Sequence, residues 1–278
     1  MSVPISGSEF DFVRTLVRRE AAIVLEPGKE YLVEARLLPL ARAAGERDVP
    51  AYVARAMRDR AQHPKIVEAL TTNETSWFRD SSPFQAFEQR MLPDILASRT
   101  DDRVLRVWSA ACSSGQEAYT VAMVAHDRLA AAGWRLEITA TDISEEMLAR
   151  GRAGRYSQLE VNRGLPATHL VKHFQRVGAD WQVSDQLRRC VRWSKLNLAA
   201  PFPPGPRYDV VFLRNVLIYF DTATKRDILQ RTARTLRSDG WLLLGGAETT
   251  LGVDEAWERV VIGRSAAYRP QARIPAGR

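Results

Sequence analysis

A chain of 278 residues, 45% hydrophobic and 26% charged, has the make-up of a soluble globular protein with one large core or two smaller ones. Its two cysteines, Cys112 and Cys190, make no disulfide framework, and neither a signal-peptide pattern nor an apolar run of membrane length stands out, so a cytoplasmic protein without membrane insertion is expected. The net charge of +7 is local: residues 150–195 hold ten basic residues against Glu160, Asp180 and Asp185, and the rest of the chain balances, which fits either an anionic partner or a plain solvated face.

The first hundred residues read as helices. Phe10, Val13, Leu16, Val17 and Ala21 recur at helical spacing, and Leu32, Ala35, Leu38, Leu40 and Ala41 do so less regularly. Gly45 closes the second helix, Pro50 opens a third in "PAYVARAMRD", and a fourth covers about 63–72. Then comes "TTNETSWFRD", an adjacent Trp77-Phe78 pair ringed by Asn73, Glu74 and Arg79. Apolar bulk with a few aimed polar groups is the composition of a ligand-pocket wall. A further helix, "SSPFQAFEQRMLPDILAS", follows, with Ser81 or Ser82 as its cap and Pro83 at its first position.

From residue 104 the pattern changes. "VLRVWSAAC" reads as a strand feeding a small-residue turn and an apolar helix that ends at Gly133. "LEITATDI" is a second strand, and "SEEMLARGRAGRY" a second helix capped by Ser144. Later, "YDVVFLRN" is a strand, "DTATKRDILQRTARTLRSDG" a helix closed by Gly240, and "WLLLGG" a last strand. Strands alternating with helices predict an α/β, doubly wound parallel sheet. Between about 157 and 197 the alternation breaks into short strands around a Gly-containing turn, so a small antiparallel insert is expected there. The domains expected are 1–98, helical with a linker helix, and 99–278, carrying the sheet; the closing "PQARIPAGR" is expected to fray.

Ligands of open α/β sheets sit beyond the carboxyl ends of the strands. The first strand delivers "SAACSSGQE", with Gly115 alone in place of a GxGxxG fingerprint, and there is no GxxxxGK[ST]. Dinucleotides and P-loop nucleotides are therefore disfavoured. The second strand ends at Asp142, placed to accept from ribose hydroxyls. Glu117 heads the first helix of the sheet domain, and "LRNVLIYF" brings Arg214 and Asn215 to the rim with Tyr219 a turn on. A positively charged nucleoside without a diphosphate suits this set, and S-adenosylmethionine is such a molecule.

"TTNETSWFRD", "VWSAACSSGQEAYTVAM", "ATDISEEMLARGRAGRY", the "NL" at 197–198 and "YDVVFLRNVLIYFD" together resemble, in order and spacing, the CheR-type chemotaxis receptor glutamate methyltransferases, from about residue 8 to 270. The resemblance implies a helical N-terminal domain, a Rossmann-like methyltransferase domain with a small β insert, and methyl transfer from S-adenosylmethionine to glutamates of a chemoreceptor's cytoplasmic helical domain. It implies cofactor contacts from Asn73, Thr75, Arg79, Glu117, Asp142, Asn197, Leu198, Arg214 and Asn215, with Arg79 and Tyr219 beside the transferred methyl. Two departures are apolar: Leu213 stands where the family often has Cys, and Trp77 where it often has Phe. The hairpin in "QRVGADWQVSDQLRRC" is short, with Gly178 alone, and resembles members that do not depend on a receptor C-terminal pentapeptide.

Blander readings stand beside these. Arg79 in an ion pair, Asp142 as a helix-start partner and Tyr219 as core would each need no ligand. Trp77 and Phe78 read as packing, and Cys112 as a small residue in a tight turn. His169 and His173, four apart without a third ligand, read as surface residues and not a metal site. Two rival functions are a cofactor-binding signalling module without turnover and, from the basic stretch, a nucleic-acid methyltransferase. Against the latter, no NPPY-like or Pro-Cys motif occurs and residues 1–100 carry no net charge. A monomer with no bound metal is expected.

Overall fold

In the computed structural model, which describes residues 4–99 and 102–271, Ser6 caps the first helix, α1 (Gly7–Ala21), through a reciprocal exchange with Glu9. Phe10, Val13, Leu16, Val17 and Ala21 form its buried face, the set its spacing predicts. Helix α2 (Glu30–Ala43) differs from its expectation. Its buried stripe is Val33, Leu37 and Ala41, at strict four-residue intervals, whereas Leu32, Leu38 and Leu40 lie at the margins and Ala35 is exposed. The leucines are the larger residues, but phase decides which face turns inward. Helices α3 (Val49–Arg58) and α4 (His63–Leu70) complete the unit, with Asp48 capping α3 by accepting from Ala51 N. By its contacts the chain divides into two units: one runs to Thr72 and includes Tyr219–Thr224, the other holds Asn73–Ile218 and the chain from Lys225. The short segment is tied into the helical unit by Val24 N donating to Tyr219 O at 2.9 Å and by an Arg18–Asp221 pair at 3.0 Å.

The second unit begins with a broken helix, α5 (Ser82–Ala86) and α6 (Leu92–Ser98) joined by a π-helical turn at Phe87–Met91. One continuous helix was expected. Ser81 precedes α5 at φ 41° without a side-chain cap, and Pro83 stands at the start. Phe84, Phe87, Met91 and Leu92 from this stretch enter the same core as Leu105, Val107 and Phe212 of the sheet.

The sheet elements follow as β1 (Val104–Ala110), α7 (Gln116–Ala131), β2 (Arg135–Asp142), α8 (Glu145–Ala153) and β3 (Arg155–Ser157). Next come α9 (Gln158–Val161), α10 (Ala167–His173), β4 (Phe174–Val177), β5 (Asp180–Val183), α11 (Asp185–Arg188) and β6 (Val191–Lys195). The chain closes with β7 (Tyr208–Leu213), α12 (Thr222–Thr235), β8 (Leu236–Leu244), β9 (Trp257–Ile262) and β10 (Ser265–Pro270). Seven strands lie in the order β6-β2-β1-β7-β8-β10-β9. The first five are parallel and the β9–β10 hairpin is antiparallel. Order reverses at β1, the switch point where such sheets bind ligands. Register fixes the rim: Ala110 of β1 stands opposite Thr141 of β2 and Leu213 of β7.

Two readings need correcting. The run toward Gly240 is not all helix: α12 stops at Thr235, and β8 starts at Leu236 with a register shift before Val210 pairs with Trp241. Gly240 serves that irregularity, because a Cβ there would lie 3.2 Å from Asp209 O. The second concerns "RRCVRWSKLN", read as part of the insert. Its strand β6 pairs parallel with β2 in the main sheet, and the small antiparallel sheet is β3-β5-β4, with a two-residue turn at Gly178–Ala179. The expected frayed tail falls largely on residues 272–278, outside the described residues.

Candidate functional site

Beyond β1 the chain turns through Ala111, Ser113 and Gly115 at φ 65°, 49° and 97°. Left-handed backbone is strained for the two residues with side chains, so neighbours must hold it. Ser113 N donates to Asp142 Oδ2 at 2.7 Å, and Ser113 Oγ donates to Asn73 O at 2.7 Å. The other Asp142 oxygen accepts from Ser144 N at 3.0 Å, and Ser144 in turn caps α8. Asn73, the β1 turn and Asp142 are thereby locked together. Gly115 answers to packing rather than to a ligand: a Cβ there would meet the Trp193 ring at 2.5 Å, and one at Gly151 would meet it at 2.4 Å.

Arg214, at the end of β7, is the hub of the site. Its side chain is 1% exposed and donates to Glu117 Oε2 at 3.0 Å, Asp80 Oδ2 at 2.7 Å and the carbonyl of Arg79 at 2.7 Å. Its guanidinium also lies over the Phe84 ring, 5.3 Å from the centroid. Glu117 accepts on its second oxygen from Ser109 Oγ at 2.7 Å. Burying a guanidinium is costly unless charge and hydrogen bonds answer it, and two carboxylates do. The same contacts set the path of the "SWFRDS" loop, where Phe78, Asp80 and Ser81 all have positive φ. Arg79 donates to Glu74 O at 2.8 Å, closing that loop on itself, and the half-buried Thr75 lies within the closed turn. From the insert side, Trp77 N donates to Arg163 O, and a Cβ on Gly164 would fall 2.3 Å from Trp77 O.

Asn215 follows Arg214 at φ 57°. Its conformation depends on Glu248, which sequence reading missed. The Glu248 carboxylate accepts from the backbone N–H groups of Gly245, Asn215, Val216 and Leu217 at 2.7–2.9 Å. Only its place in "GGAETT", just past a strand, hints at that role. Asp80 was also passed over, as a residue of the motif without a task. On the opposite rim, Leu196 N donates to Asp142 O at 2.9 Å, which draws the 196–200 loop to the end of β2. Asn197 turns that loop, its Oδ1 accepting from Ala199 N, and the buried Leu198 has its carbonyl held by Arg231 at 2.7 Å.

Eight of the nine expected cofactor residues are thus tied into the rim around Asp142 and Arg214, and Thr75 sits inside the loop that Arg79 closes. Tyr219 stands apart from this account: it ends a short 3-10 turn, Leu217–Tyr219, and groups with the helical unit. Trp77 is 1% exposed, edge-on to Tyr156 and Phe174, so it packs as expected. His173 is not a surface residue, and His169 is only partly exposed. They stack on each other at 5.6 Å, His169 leans on Phe78, and His173 is 5% exposed with Nε2 lacking a hydrogen bond. Cys112 is buried, and burial, with Asp142 and Glu117 adding to it, pushes its thiol pKa well up, so it is no nucleophile. Among the described residues no group of three or more metal-ligating side chains occurs, and no helix is long and apolar enough to cross a membrane.

The donor chemistry fits S-adenosylmethionine. Asp142 and Glu117 put carboxylates at the switch point, matched to ribose hydroxyls and to cationic groups, while Arg79 offers a cation at the facing loop. A phosphate ligand would find two carboxylates and no glycine cradle.

Comparison with known proteins gives the family. Residues 73–265 match the family described as CheR methyltransferase, SAM binding domain, and residues 8–71 match CheR methyltransferase, all-alpha domain. The chain is similar to chemotaxis protein methyltransferase 1 of Pseudomonas aeruginosa, 37% identical over 270 residues, covering 95% of this chain and 98% of that one. It is also similar to chemotaxis protein methyltransferase Cher2 of Pseudomonas putida, at 35% identity over 91% of this chain and 94% of that one. A third relative is the chemotaxis protein methyltransferase of Vibrio parahaemolyticus, at 38% over 93% and 95%. The chain belongs to the CheR methyltransferase family and is an S-adenosylmethionine-dependent methyltransferase.

Proposed function

We propose that this enzyme methylates glutamate side chains on the cytoplasmic helical domain of chemoreceptor-type proteins, giving γ-methyl esters. The observation that carries the reading is a rim rich in carboxylates and guanidinium groups, with no histidine or lysine among its nine expected cofactor residues. A glutamate side chain has an ordinary pKa of about 4.3 and arrives as an anion at neutral pH, so no general base is needed. When bound, S-adenosylmethionine supplies a methyl group on a positively charged sulfur. The glutamate carboxylate would take that methyl to give the ester, with S-adenosylhomocysteine as the other product.

The residues' part is alignment and exclusion of water. Asp142, with Asn197 and Leu198, is assigned to the nucleoside. Asn73, Thr75, Glu117, Arg214 and Asn215 are assigned to the rest of the cofactor, with Arg214 holding Glu117 and the 79–80 loop in register. Arg79 is assigned to the incoming carboxylate as well as the cofactor, through its planar fork, and Tyr219 to orienting that carboxylate through its hydroxyl. The two-residue turn between β4 and β5 supports independence from a receptor C-terminal pentapeptide, since it offers no long loop to grip one.

Incubation with tritiated S-adenosylmethionine and receptor signalling domains, followed by base, tests the reading. Release of volatile methanol is expected, and Arg79→Ala should lower turnover about a hundredfold or more. Base-stable label would mean another acceptor chemistry, and full turnover by Arg79→Ala would remove it from the reacting centre. Loss of methylation on deleting the receptor's last five residues would refute tether independence.

A further inference from the structure

A cavity of about 740 Å³ lies on the face of the sheet and reaches the rim at Thr141 and Leu196, with none of the expected cofactor residues in its wall. Its origin is topological. The crossover from β6 to β7 spans residues 196–207 without a helix, in a segment that includes Pro201, Pro203, Pro204 and Pro206. In a doubly wound sheet such a crossover ordinarily lays a helix over the strands it passes. Here no crossover helix covers Trp108, Thr139 and Thr141 of β1 and β2; the proline loop and α12 close over them and leave the cavity between. The volume is that of a small-molecule site.

The chemistry of its wall is one-sided. Five cationic side chains line it, Arg192, Lys195, Arg207, Arg231 and Arg234, and no acidic side chain does. Two are committed: Arg207 to the carbonyls of Arg234 and Leu236, and Arg231 to Asp227 and the 198–200 loop. The side chains of Arg192, Lys195 and Arg234 have no hydrogen-bond or ion-pair partner among the described residues. The remaining wall is aromatic and proline-rich. Trp108 lies between Phe202, edge-on at 5.2 Å, and Tyr208, stacked at 5.6 Å, and Arg231 covers Phe202 at 4.4 Å. Guanidinium groups with free donors hold phosphate oxygens, and flat apolar surface beside them holds a ring.

We propose that this cavity is a binding site for a nucleotide, a planar base carrying phosphates, separate from the cofactor site. The base lies against the Pro203–Pro204 and Phe202 wall, and the phosphates meet Arg192, Lys195 and Arg234. Part of the positive excess of residues 150–195 thereby has a ligand of its own.

The test is calorimetric titration of the full-length protein with S-adenosylhomocysteine saturating the cofactor site, so that an adenosine-containing ligand cannot register there. Adenosine and guanosine triphosphates, the two nucleosides alone and inorganic tripolyphosphate are titrated in turn. At least one triphosphate is expected to bind at least tenfold more tightly than either its nucleoside or tripolyphosphate. Arg192→Ala and Arg234→Ala should each weaken it about tenfold, the loss of a charge-assisted contact, while S-adenosylhomocysteine affinity stays unchanged. Both residues are surface cations without partners, so the variants are expected to fold, which circular dichroism checks. No binding by either triphosphate, binding matched by tripolyphosphate alone, or binding indifferent to both substitutions would each overturn the proposal.

Discussion

At the scale of single residues, the site is held together largely by carboxylates that satisfy backbone N–H groups, Asp142 and Glu248 above all. Asp142 and Glu117 were legible in the sequence because strand-end and helix-start positions give a carboxylate a restricted set of tasks. Glu248 was not, since its task is to gather four N–H groups from two loops that only the fold brings together. Removing it leaves those donors without their charged acceptor and frees Asn215 from its left-handed backbone. Glu248→Ala should therefore cost about 2–4 kcal/mol of stability, on the basis that each lost charge-assisted bond is worth about 1.5–3 kcal/mol and water recovers part. Urea unfolding reads that loss, and calorimetry should show S-adenosylhomocysteine bound at least tenfold more weakly. Unchanged stability would mean that Glu248 is incidental to the loop.

At the scale of elements, periodicity predicted the buried face of α1 because its five apolar positions leave one possible phase. It mis-phased α2, where apolar residues occupy both face and flank, and it ran α12 too far because Leu236 and Arg237 continue the helical composition into a strand. Composition also mislaid α10, where two histidines four apart look like surface, yet they stack on each other and His169 leans on Phe78. Burial lowers the pKa of both, and their mutual proximity lowers that of His173 further, against smaller opposing effects of Asp127 and of Glu88 on His169. Lys172 acts in the same direction as burial, and His126 adds to it at His173. The sign follows. A folded pKa below the unfolded value of about 6.5 means that the unfolded chain takes up protons first. The stability these rings contribute is complete above that value and is lost as pH falls through the folded pKa. The melting temperature should drop between pH 7 and 5, and His173→Phe, which keeps a ring and cannot be charged, should flatten that drop. An equally steep profile in the variant would place the titration elsewhere.

At the scale of the whole molecule, the question is what the +7 charge can reach. The sequence located the excess in residues 150–195 but could not tell committed cations from free ones. Six of the ten are committed: Arg150 to Glu160, Arg152 to Glu145, Arg155 to Asp180, Arg163 to Glu74, Lys172 to Asp127 and Arg188 to Asp185. Arg176, Arg189, Arg192 and Lys195 have no ion-pair partner among the described residues. Exposed pairs still contribute to the long-range field only as dipoles, so these four cations carry most of any steering of an acidic receptor surface, if the receptor presents one. The rate of receptor methylation at low substrate should accordingly fall as salt is raised from low ionic strength to about 0.5 M, where the screening length drops to a few ångströms. Arg176→Glu with Arg189→Glu should lower kcat/KM several-fold at low salt, make little difference at high salt, and leave S-adenosylhomocysteine affinity alone. Charge reversal at Arg150 or Arg152, where a carboxylate already answers the cation, should have a smaller effect on that salt slope. If kcat/KM is indifferent to salt, or if the two pairs of sites behave alike, the free cations do not steer the receptor and the basic stretch is a solvated face apart from its cavity.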